Sequence, residues 1–272
     1  PQKAPVLASL ALVALGGALV KPIIAGTVAR CSDETNRARA FSLFYMMVNI
    51  GSFTGKTVAK PVRVLLGVGS IPYYSAGAAL IALVLVLVLY HPDRRQPGSS
   101  PEPAREGPTL EGLVKVIGNG RFMALILITA GFWFIQGQLY ASMPKYVLRT
   151  VGDKASPEWY ANINPLMVVL FVVPVTQLMR RRAAVTSIGV ALAMVPLSAL
   201  AMGLSPYLGS SVSLLGAPVH PVTVMMVLGI ALQGLGECFL SPRYLEYASK
   251  QAPPGQEGLY LGYAHLNTFF AW

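Results

Sequence analysis

The stretch FSLFYMMVNIGSFTGKTVA, Phe41 to Ala59, decides the fold. Its length is close to the roughly 20 residues that an α-helix needs to cross a hydrocarbon core. It contains no acid, and its single cation, Lys56, comes near its end. The polar residues Tyr45, Asn49, Ser52 and Lys56 are spaced by four, three and four positions, which places them on one helical face. Such a stripe does not face lipid. It either lines a hydrophilic cavity or packs through interhelical hydrogen bonds, helped by Gly51 and Gly55.

Working outward, the same criterion finds seven more spans: Leu7 to Ala29, Tyr73 to Tyr90, Phe122 to Tyr140, Ile163 to Met179, Ala183 to Leu204, Val222 to Tyr244, and Gly258 to the end. In a chain of 272 residues, 54% are apolar and only 12% charged, with a mean hydropathy of +0.57. That composition excludes an ordinary soluble domain. The net charge of +10 is carried in connectors between apolar runs and forms no basic face, so a membrane surface explains it and a nucleic-acid partner does not. The expected fold class is an all-α membrane protein, a helical bundle of about eight spans.

Basic residues near helix ends are retained in the cytoplasm. Alternate connectors carry Arg30, Arg37, Arg39, Arg94, Arg95, Arg105, Lys115, Arg121, Arg180, Arg181, Arg182, Arg243 and Lys250, against Lys60, Arg63, Lys145, Arg149 and Lys154 in the other set. The first span therefore runs from outside to inside, which implies further spans upstream. His91 to Pro108 is rich in Pro, Ser, Gly and charge, and reads as a linker between two halves. The expected division is 1–90, the end of a first half; 91–121, a cytoplasmic linker with an interfacial helix at Leu110, Leu113, Val114 and Ile117; and 122–272, a second half.

Polar groups at membrane depth need a partner or a wet cavity. Lys21 is either a cation facing a central cavity or a lysine snorkelling to the inner headgroups. Trp133, Gln136 and Tyr140 form a weaker stripe, lining a cavity or packing. Gln233, Glu237 and Ser241 follow at spacings of four. Glu237, the one acid at mid-depth of its span, is either a proton carrier or half of an ion pair. Asn164, ahead of Pro165, opens its helix and places an amide at the outer mouth.

Cys31 and Cys238 have no spacing for a disulfide or a metal, the three histidines are scattered, and no nucleotide, nucleophile or zinc motif is present. No enzyme, catalytic residue, metal or cofactor is expected.

FSLFYMMVNIGSF, Phe41 to Phe53, resembles the signature of the proton-dependent oligopeptide transporters, a family of the major facilitator superfamily. GGALVKP, Gly16 to Pro22, is similar to that family's fourth helix, and GECFLSPRYLEYASKQAPP, Gly236 to Pro254, to its tenth helix and following loop. The resemblance implies helices four to about eleven of a twelve-helix bundle, with helices one to three and twelve outside the sequence. It implies substrate binding by Lys21, Tyr45, Asn49, Asn164, Glu237 and Ser241, and proton coupling by Glu237 and Lys21. Ser52, Lys56, Trp133, Gln136, Tyr140 and Gln233 would line the cavity.

The implied function is proton-coupled symport of di- or tripeptides by alternating access. The proton is the coupling ion, and a small peptide and the lipid bilayer are the partners. A monomer in the cell membrane is expected. Two departures stand against the pattern: Gln136, Gly137 and Gln138 occur where many members have an acid, and Ala264 stands near the place of a common tryptophan. These keep open a facilitator or exporter of another small amphiphilic solute, and a membrane sensor that does not transport.

Overall fold

The computed structural model describes residues 3–33, 35–89, 114, 116–152, 155–253 and 256–272. Among them the chain forms α1 (Lys3–Arg30), α2 (Arg37–Leu66), α3 (Ile71–Leu89), α4 (Gly120–Ala141), α5 (Met143–Thr150), α6 (Pro157–Leu178), α7 (Ala184–Gly203), α8 (Pro221–Lys250), α9 (Glu257–Ala264) and α10 (Leu266–Ala271). The fold is an all-α membrane bundle. Six of these helices, α1, α3, α4, α6, α7 and α8, are long and apolar enough to cross a bilayer. α2 is longer than most, at 30 residues, but its polar stripe lowers its hydropathy. The linker from His91 to Pro108 and most of the proposed interfacial helix lie outside the described residues.

α6 and α8 form the centre. α2 packs on α6 and α8, α7 packs on α8, and α10 and α9 close against α4 and α1. α1 and α3 carry apolar side chains all round, and their most apolar stretches bury none, as a surface solvated by hydrocarbon allows. Close approach of α8 to its neighbours depends on glycine. A Cβ on Gly229 would lie 2.8 Å from the Ser198 carbonyl oxygen, and one on Gly234 would lie 2.9 Å from Met167 Cβ and 3.0 Å from the Asn164 carbonyl oxygen. Gly234 thus brings α6 against α8 at the level of Asn164.

Helix starts follow local chemistry. Asn119 Oδ1 accepts from Phe122 N at 3.2 Å to open α4, and His220 Nδ1 accepts from Val222 N at 3.2 Å to open α8. Ahead of α2, the Asp33 carboxylate accepts from the Thr35 hydroxyl at 2.6 Å and the Asn36 N–H at 2.9 Å. These bonds, the Thr35 hydroxyl foremost, hold the Asp33 carboxyl below its usual range. The connector before α8 contains a hairpin, β1 (Val212–Leu214) and β2 (Ala217–Val219), with Val212 opposite Val219. Its turn residues Leu215 and Gly216 both have positive φ, 52° and 84°, the geometry of a tight two-residue hairpin loop.

Four expectations are corrected. Lys60 and Arg63 belong to the last turns of α2, and Arg37 and Arg39 to its first, because charge at a span end extends a helix into the interface without ending it. Arg243 is not in a connector: α8 continues to Lys250 and buries it. Asn164 does not open its helix, since α6 starts seven residues earlier at Pro157 and carries Pro165 inside it. The last span is two short helices, interrupted at His265, whose Nδ1 contacts the Leu261 carbonyl at 2.7 Å while the backbone tightens to His265 N–Gly262 O.

Gly234→Ala is expected to force α6 off α8 at a cost of about 1–3 kcal/mol. A clear fall in the thermal midpoint of the detergent-solubilised protein would register this. An unchanged midpoint would contradict the tight α6–α8 contact.

Candidate functional site

Four helices aim one polar side chain each at the same point. Glu237, on α8, is 4% exposed. Its Oε1 accepts from the Tyr45 hydroxyl on α2. Its Oε2 accepts from Gln136 Nε2 on α4 at 2.7 Å and from Asn164 Nδ2 on α6 at 2.8 Å. Three donors surround the carboxyl, which accepts through both of its oxygens. A buried charge is tolerable when hydrogen-bonded in this way.

Ser241, one turn further along α8, is buried beside the same Tyr45 phenol. Gln233, one turn before, is also buried. Lys56 lies three turns along α2 from Tyr45. Its ammonium donates to the Tyr140 hydroxyl at 3.0 Å, sits 5.0 Å from that ring's centre, and acts electrostatically on Glu237. Tyr45, Glu237, Gln136 and Asn164 therefore form one cluster, with Lys56 and Tyr140 beside it.

The other predicted residues divide. Asn49 is buried, but its Nδ2 donates to the Tyr45 carbonyl at 2.9 Å on its own helix, which steadies the Tyr45 turn and makes no contact with Glu237. Ser52 is half-buried. Trp133 packs edge-on against Phe132 at 5.7 Å, within the apolar core. Lys21 lies on α1, but its side chain is outside the described residues. Among the described residues, no group of three His, Cys, Asp or Glu side chains is placed to hold a metal.

Gln136 was expected only as a cavity-lining side chain at the position of a missing acid. The structure makes it a direct ligand of Glu237, a role that spacing within α4 does not reveal. Its Oε1 is buried without a protein partner. Sequence reasoning also missed a series of contacts between the outer half of α2 and the start of α6. Asn162 Nδ2 donates to Thr57 Oγ1 at 2.9 Å, Lys60 Nζ to Ser156 Oγ at 2.8 Å, and Arg63 pairs with Glu158 at 2.5 Å. The Arg63 and Glu158 side chains are 42% and 28% exposed, so this pair contributes about 1 kcal/mol or less. These contacts align α2 along α6 more than they stabilise it.

A family model described as Major Facilitator Superfamily matches residues 3–208. The chain belongs to the major facilitator superfamily. It is an integral, multi-pass protein of the cell membrane. Among superfamily relatives, it is 26% identical over 172 residues to Multidrug resistance protein MdtH of Salmonella typhi, covering 63% of this chain and 40% of that protein. It is 22% identical over 267 residues to the protein of the same name from Proteus mirabilis, covering 96% of this chain and 60% of that one. A third relative, Dipeptide and tripeptide permease B of Photorhabdus asymbiotica, is 33% identical over 96 residues, 35% of this chain and 19% of the permease. The chain thus spans about two fifths to three fifths of the length of the MdtH relatives. No solved structure matches it.

Tyr45→Phe is expected to destabilise the protein by about 1–3 kcal/mol by removing a donor from a buried carboxylate. In a Glu237→Gln background the same change should cost far less, since the charge it served is gone. Equal losses in the two backgrounds, measured as thermal midpoints, would show that the phenol and carboxyl are not coupled.

Proposed function

We propose that this protein is a proton-linked secondary transporter in which the Glu237 carboxylate is the shared site for a proton and for the cationic amine of a small amphiphilic solute. The observation that carries this reading is a buried carboxylate served by donors from three other helices, α2, α4 and α6. The donors from α2 come from the proposed first half, those from α4 and α6 from the second. Rocking of these halves about a midplane site would expose Glu237 to each side in turn. The protein works as a monomer in the bilayer, with the proton as its only cofactor.

Stoichiometry follows from the site. With Gln136 in place of an acid, Glu237 is the one carboxyl in the cluster. A proton and an ammonium group then exclude each other there, and two ligands that exclude each other on one site are exchanged across the membrane. This supports exchange: an amine moves outward as a proton moves inward. The name of the MdtH relatives, multidrug resistance protein, agrees with export.

A second reading, symport of di- or tripeptides, is favoured by the Phe41–Phe53 signature and by the relative named Dipeptide and tripeptide permease B. It requires another titratable partner, with Lys21 holding the peptide carboxylate opposite Glu237.

The direction of proton-driven flux distinguishes the two. For the full-length protein in proteoliposomes, acid on the extracellular side should drive a lipophilic primary amine outward, and excess di-alanine should not compete. Substrate moving in with the proton, with di-alanine competing, would establish the second reading. Glu237→Gln should reduce gradient-driven flux at least about tenfold. Wild-type gradient-driven flux in that variant would end both readings.

A further inference from the structure

The bundle end that the charge asymmetry assigns to the cytoplasm carries a built basic turn between α6 and α7. Arg180, Arg181 and Arg182 follow Met179 directly, and all three are exposed. A run of this kind is usually a mobile, solvated charge; here the turn is fixed from beneath. Arg243, 4% exposed, donates one guanidinium nitrogen to the Met179 carbonyl at 3.0 Å and to the Arg182 carbonyl, and the other to Glu246 Oε2 at 2.6 Å.

Lys250 takes the remaining Glu246 oxygen at 2.7 Å. Glu246 is therefore fully used, and among the described residues none of the three arginines has an acidic partner. The Ser187 hydroxyl donates to the Phe239 carbonyl at 2.6 Å, pinning the first turn of α7 to α8 as well. α7 begins at Ala184 with no side-chain cap and no acid in its first turn, so the positive end of its dipole adds to the same field.

We infer that this turn is a docking surface for the headgroup of an anionic phospholipid of the cytoplasmic leaflet. Three guanidiniums on a pinned turn match the charge and the hydrogen-bonding needs of a phosphodiester. Their place at the end of a spanning helix sets them at headgroup level. Clustered basic residues at such a position attract anionic lipid appreciably, residue by residue. The surface is separate from the Glu237 cluster, and its existence does not depend on what the protein transports.

The test compares the full-length protein in nanodiscs of phosphatidylcholine alone and of phosphatidylcholine mixed with phosphatidylglycerol or cardiolipin. Wild type should show a thermal midpoint several degrees higher in the anionic discs, and native mass spectrometry should find anionic lipid retained. Arg180→Gln/Arg181→Gln/Arg182→Gln should lose the shift and bind the lipid about tenfold more weakly, whereas the triple Arg→Lys variant should keep most of it.

Labelling of the exposed Cys31 by an impermeant maleimide, only after permeabilisation, verifies that each variant keeps its orientation. A wild type indifferent to lipid charge would overturn the proposal, as would a triple-Gln variant with an undiminished shift. Inorganic phosphate giving the same stabilisation in detergent would overturn it too, because the turn would then be a general anion site.

Discussion

A carboxylate in the middle of a membrane bundle is the constraint around which the rest is arranged. Left bare it would be prohibitively unstable. The bundle answers with three donors, Tyr45, Gln136 and Asn164, from three different helices. Each donor fixes the rotation of its helix about its own axis. Gly234 supplies the closeness that lets Asn164 reach Glu237, so a backbone feature without chemistry of its own sets the dimensions of the site.

The fold was largely legible because hydrocarbon imposes a simple rule on length and apolarity. Seven of the eight expected spans appear as helices, and the stripe Tyr45, Asn49, Ser52, Lys56 marks the face of α2 that turns inward. The failures have physical causes. Charged residues at the ends of α2 and α8 look like connectors by hydropathy, although both helices continue through them into the interface. Arg243 and Glu246, three apart on one face, carried the signal that α8 runs on. The hairpin at Val212–Val219 and the tightened turn at His265 are local hydrogen-bonding choices that hydropathy does not register.

The site was half legible. Glu237, Tyr45 and Asn164 were picked out by their chemistry and by resemblance, and they do meet. Which of the remaining polar residues join them was not legible, because that depends on crossing geometry between helices distant in sequence. Gln136 and Tyr140 lie one turn apart on α4, yet one binds Glu237 and the other meets Lys56. Trp133, on the same stripe, packs into the core. Asn49 spends its amide on its own helix. Periodicity identifies a face, and packing then assigns each member of that face a partner.

The bond from Tyr45 to Glu237 joins the α2 side of the bundle to the α8 side at its middle. In the proposed rocking cycle, a swing that parts those two sides opens that bond and leaves the carboxylate one donor short. The vacancy lasts until an N–H or O–H group from a solute or from water takes the phenol's place. On that proposal a solute able to donate a hydrogen bond eases the passage, and an empty site resists turning over.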